Sequence, residues 1–229
     1  MIYKPFMKKI PLLSLLEARV LGVLVEKEHT VPDTYPLSRN ALTAGCNQKN
    51  NRDPVIEATE TEVQAAVDSL RAHTLVIESS GARVTRYAHN IGRVLGIPSQ
   101  SVALLATLML RGPQTAAELR GATERMHRFA DVSSVEAFLA ELAERSDDAG
   151  GPLVVKLGRV AGERESRWAH LLSGPVESRQ ADSAVVVTSV DIPLSELDAL
   201  RANQTRLSAE VADLRGKIER MAAELGIRL

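Results

Sequence analysis

The chain has 229 residues, with 28 lysines and arginines against 29 aspartates and glutamates. That near-neutral balance excludes a globally basic protein and confines any phosphate-binding surface to a local patch. A single cysteine, Cys46, excludes an internal disulfide framework and fits a reducing compartment. Glu17, Arg19 and Glu26 break up the apolar N-terminal stretch, and nothing reaches the ~20 apolar residues of a bilayer span, so a cytoplasmic protein with no membrane association is expected.

Ser14 and Glu17 form a capping box, in which a hydroxyl and a carboxylate each satisfy an orphan N–H of a helix start. The helix it opens carries Ala18, Leu21 and Val25 on one face and ends near Glu28. Pro32, Asp33 and Pro36 punctuate a loop, and a short helix from about Ser38 places Leu42 and Cys46 four residues apart. Residues 47–54 are too polar and turn-rich for a helix. Thr59 and Glu62 cap a third helix with the stripe Val63, Val67, Leu70. Two β-prone stretches, 75–77 and 83–87, flank Ser79-Ser-Gly81 and predict a hairpin.

The same order then returns. Residues 101–110 are an apolar helix stopped by Gly112-Pro113. Thr115 and Glu118 cap a short helix, Ser133 and Glu136 a third one bearing Val135, Leu139 and Leu142, and 153–157 with 165–170 predict a second hairpin. Thr85-Arg-Tyr-Ala-His89 reappears as Ser166-Arg-Trp-Ala-His170. Three helices followed by a hairpin is the winged helix-turn-helix order. The expected fold is therefore mainly α with small β-hairpin wings (α+β): two tandem winged helix-turn-helix domains, 1–95 and 96–175, a linker at 176–192, and a C-terminal coiled-coil helix at 193–229.

In that last segment Leu197, Leu200, Gln204, Leu207, Val211, Leu214, Ile218, Met221 and Leu225 recur in steps of three and four. Val211 and Ile218 at a positions, with leucines at most d positions, favour two parallel strands. Homodimerisation through Leu197, Leu200, Leu207, Val211, Leu214, Ile218, Met221 and Leu225 is expected. The other reading is an amphipathic helix folded back on its own chain.

Residues 44–55, preceded by Tyr35-Pro-Leu-Ser38 and by 15–21, resemble the bacterial YceH family; further matches lie at 83–87, 110–115, 117–120 and 164–167. The resemblance implies a tandem winged-helix fold and carries no assigned mechanism.

No chemistry stands out. His29, His73, His89, His127 and His170 lack metal-ligand spacing among themselves or with Cys46, and no phosphate loop or nucleophile elbow is present. A non-enzyme without cofactors or metals is expected. Double-stranded DNA is the first candidate partner, by analogy with the fold. The third helices present Glu60, Glu62, Asp68, Glu136, Glu141 and Glu144, which phosphates repel. Contacts are therefore expected from Arg39, Gln48, Lys49, Asn51 and Arg52 around the 47–54 loop, and from Arg83, Arg86, Lys156, Arg159, Arg164 and Arg167 on the wings. A purely structural role for the asparagine-rich loop stands beside this. A protein partner, gripped without any DNA binding, is the alternative function.

Overall fold

The computed structural model describes residues 11–80, 84–159 and 165–176. They comprise helices α1 (Leu15–Thr30), α2 (Arg39–Cys46), α3 (Glu60–Ala72), α4 (Ile91–Leu95), α5 (Ser99–Arg111), α6 (Ala116–Ala122) and α7 (Val132–Ala143). The strands are β1 (Leu37–Ser38), β2 (Val76–Ser80), β3 (Thr85–His89), β4 (Val154–Lys156) and β5 (Trp168–His170). The molecule thus combines helices with small antiparallel sheets. Met1–Ala181 form one compact unit, and Asp182–Leu229, which carry the heptad pattern, lie outside the described residues.

Helix starts follow from local chemistry. Reciprocal capping boxes form at Ser14/Glu17, Thr59/Glu62 and Thr115/Glu118. The fourth start differs from expectation. Asp131, in extended conformation, accepts the Ser134 N–H at 2.7 Å, so α7 begins at Val132 and Ser133 lies inside it. A carboxylate one residue upstream of the helix outcompetes the hydroxyl because it is the stronger acceptor.

The first helix of each repeat is buried on nearly all sides. Every residue from Ala18 to Val25 in α1 and from Ser101 to Leu110 in α5 is buried. A helix apolar all round belongs inside a core, and α1 and α5 pack against each other. Gly22 permits the approach: a Cβ there would lie 2.9 Å from Leu110 Cγ. Leu21, Leu24, Leu104, Leu105 and Leu108 are fully excluded from water, each worth about 1.5–3 kcal/mol. One continuous core therefore runs from Leu13 to Leu172.

The two hairpins share a register. β3 pairs with β2 on one side and with β1 on the other, Leu37 opposite Tyr87. In the second repeat β4 pairs with β5, and Gln114 bridges to Trp168. Tyr87 and Trp168 thus occupy equivalent places, both buried. Among the described residues no helix is long and apolar enough to cross a membrane.

Candidate nucleic-acid interface

The connection between α2 and α3 is locked at its base. Asn47 donates through Nδ2 to the Ala58 carbonyl and accepts the Ala58 N–H at Oδ1, both at 2.8 Å, so one side-chain amide closes the loop as a strand partner would. Arg52 was expected among the DNA contacts; its side chain is instead wholly buried. Its guanidinium donates to Glu26 Oε2 at 2.6 Å and to Oε1 at 3.2 Å, and also to Gln48 Oε1 and the Gly45 and Asn51 carbonyls. A fork that spends its donors this way has none left for a phosphate. Burial alone raises the Glu26 pKa, but the Arg52 hydrogen bonds and charge, helped by Lys27, outweigh it and hold the carboxyl below its ordinary range.

Arg19 lies beside this pair, also fully buried, and donates to the carbonyls of Cys46 (3.2 Å) and Pro54 (2.6 Å). Burial, then the like charge of Arg52, depresses its pKa. Asp53 donates its N–H to the Leu110 carbonyl at 2.8 Å, which ties the loop to α5. What remains in water is the tip. Lys49, Asn50 and Asn51 are exposed, and Lys49 makes no ion pair among the described residues. Asn51 sits at φ 61°, a left-handed conformation that asparagine tolerates better than most residues. Gln48, although exposed, accepts from Arg52 at 2.8 Å and from Lys27 at 3.5 Å and belongs to the base of the loop.

Most of the described hairpin cations are also engaged within the fold. Arg86 donates to the carbonyls of Pro36 (2.8 Å) and Thr34 (3.1 Å). Its counterpart Arg167 donates to the Pro113 carbonyl at 3.2 Å and to Glu118 at 2.8 Å. Both arginines therefore clamp the segment that leads into the second helix of their repeat. The Lys156 ammonium sits 5.4 Å from the Trp168 ring centroid, a cation–π contact. Arg39 pairs with Glu60 at 3.0 Å; both side chains are about half exposed, so this pair is worth ~1 kcal/mol or less and yields readily. Arg159 is exposed and without an ion pair among the described residues. Arg83 and Arg164 lie outside the described residues, as do the heptad positions Leu197–Leu225.

The third helices themselves repel phosphate. Glu60 and Glu62 crowd the start of α3, and Asp131 caps α7. Hydrogen bonds from Thr59 lower the Glu62 pKa, and those from Ser134 lower that of Asp131, so both stay ionised. Sequence reasoning passed over the turn between α6 and α7. It carries Arg125 and Arg128, with Arg120 on the last turn of α6, and the signal was their density within nine residues of a nearly neutral chain.

Cys46, His89 and His170 are largely withdrawn from solvent. Burial pushes the Cys46 thiol up to about 12, where it is protonated and unreactive. His89 Nε2 lies 2.7 Å from Glu28 Oε2. Its counterpart His170 is driven down to about 4 by burial. No cluster of three or more histidine, cysteine or acidic side chains suited to a metal ion occurs among the described residues.

A family model described as "Protein of unknown function, DUF480" matches residues 13–163. A UPF0502 protein of Burkholderia orbicola is 59% identical over 94% of this chain and 90% of its own length. One from Paraburkholderia phytofirmans is 61% identical over the same shares. Another, from Methylibium petroleiphilum, is 59% identical over 99% of this chain and 95% of its own. The chain belongs to the UPF0502 (DUF480) family, of which YceH is a member.

Proposed function

We propose that this chain is a non-catalytic, tandem winged-helix protein that binds double-stranded DNA as a homodimer in the cytoplasm. The winged-helix reading draws on the repeated order of three helices and a hairpin, on the equivalent pairs Leu37–Tyr87 and Gln114–Trp168, and on the matched clamps Arg86 and Arg167. The observation that carries the binding reading is the 47–58 loop. Buried ion pairing and the Asn47 bracket hold its base, while Lys49, Asn50 and Asn51 stand exposed. A tip ordered before it meets its partner loses little conformational entropy on binding. The dimer reading rests on the heptads of 197–225 and would bring four modules to one duplex.

The test is fluorescence anisotropy of a labelled mixed-sequence duplex against the full chain at about 50 mM salt, where phosphate contacts are strongest. Saturable binding that weakens as salt rises is expected; no binding at that salt ends the DNA reading. Sedimentation velocity reads the dimer, and Leu207→Asp with Leu214→Asp is expected to give monomers.

One observation favours a second reading, a protein-binding module: the starts of α3 and α7 carry carboxylates, and most of the described wing cations have internal partners. A stoichiometric protein partner retained after nuclease treatment, together with no duplex binding, would select it.

A further inference from the structure

The α6–α7 turn is braced from inside. Thr123 is fully buried and donates its hydroxyl to the Leu119 carbonyl at 2.8 Å, while its backbone carbonyl accepts the Met126 and His127 N–H groups at 2.7 and 2.8 Å. Phe129 is buried and meets the rings of His127 and Phe138 edge-on, with centroids 4.7 and 5.8 Å away. Arg120 reaches across to the carbonyls of Phe129 (3.4 Å) and Ala130 (3.0 Å).

On this frame Arg125 and Arg128 are exposed and make no hydrogen bond or ion pair among the described residues. Two acidic side chains flank them in sequence. Glu124 is exposed, while the Asp131 carboxylate already accepts the Ser134 N–H and hydroxyl, each at 2.7 Å. In the first repeat Arg39, Arg52 and Arg71 face carboxylates, which leaves Lys49 as the uncommitted cation of the equivalent connection among the described residues.

The turn stands where the 47–58 loop stands in the first repeat, between its second and third helices. Both connections therefore present uncommitted cations on a braced backbone. We infer that Arg125 and Arg128 form a phosphate-contact surface for duplex DNA, and that the second repeat supplies more of the backbone contacts than the first. This inference rests on the DNA-binding reading and assigns its residues. Arginine suits the task because its planar fork matches a phosphate bidentately.

The test follows duplex affinity of the full chain between about 50 and 200 mM salt, where log K falls with log salt by ~0.9 per neutralised phosphate. Arg125→Gln with Arg128→Gln is expected to weaken binding by about tenfold or more at low salt and to reduce the slope by about 2. Arg125→Lys with Arg128→Lys keeps the charge and is expected to retain the slope, which separates charge loss from misfolding. Lys49→Gln is expected to remove about 1. If the unmodified chain binds and the Gln pair leaves affinity and slope unchanged, the inference is wrong while the DNA reading stands. If the unmodified chain does not bind at all, both fall. Equal binding of polyglutamate in place of the duplex also overturns it, because the surface then recognises acidic protein.

Discussion

Arg52 Nη2 lies 2.6 Å from Glu26 Oε2, with the arginine side chain wholly buried and the glutamate partly exposed. The two residues are separated by 26 positions, and their pairing fastens the α2–α3 connection to α1. The arginine charge has been removed from water and is compensated by the glutamate, so losing either partner leaves a charge in or at the edge of the core without its counter-ion.

Arg52→Ala is expected to cost about 3–5 kcal/mol, against ~1 kcal/mol or less for Arg39→Ala at the exposed pair with Glu60. Urea unfolding of both variants checks it. An Arg52→Met, Glu26→Leu double variant is expected to recover a large part of the loss, since neither member of the pair is then left without its counter-ion.

Gly22→Ala is expected to destabilise the fold by about 1–3 kcal/mol, because the new methyl would sit 2.9 Å from Leu110 Cγ in the α1–α5 contact. In a double-mutant cycle, Leu110→Ala is expected to relieve the clash, so the double variant loses less than the sum of the singles. Additive losses would show that the two helices separate instead.

His170 gives the stability a pH dependence of predictable sign. Its pKa is about 4 in the folded chain and about 6.5 when unfolded, so between these values the unfolded state binds more protons. Stability is then intact above pH ~6.5 and declines as pH falls toward 4, by at most about 3 kcal/mol from this residue. His170→Phe is expected to flatten that part of the stability–pH curve, read by thermal melts across the window. An unchanged slope in the variant would assign the dependence to other groups.

Arg86 and Arg167 separate structural from binding cations. As carbonyl clamps they are expected to lower thermal stability when replaced by Ala, by about 1–3 kcal/mol each, and to leave the salt slope of duplex binding unchanged. A slope reduced by ~1 per substitution would instead return them to the interface.

Three of the four expected capping boxes form because cap and third helical residue are neighbours in sequence and need nothing else. The fourth failed locally too, with Asp131 displacing Ser133. Strand β1 and the Gln114–Trp168 bridge were not expected, since each pairs residues about 50 apart and leaves no periodic trace. The asparagine-rich loop stood open between structure and function, and its residues divide: Asn47 and Arg52 hold the base, Lys49 and Asn51 face water.

Element order, repeat and caps were legible in the chain alone because they arise from interactions within a few residues. Whether a given arginine is a ligand or a bolt was not. Arg52 finds Glu26 26 positions away, Arg86 finds the Pro36 carbonyl 50 away and Arg167 finds Glu118 49 away, while Arg125 finds no partner among the described residues. A charge is set free or consumed by whatever the folded chain brings within about 3 Å of it, and only the packing of distant segments settles that.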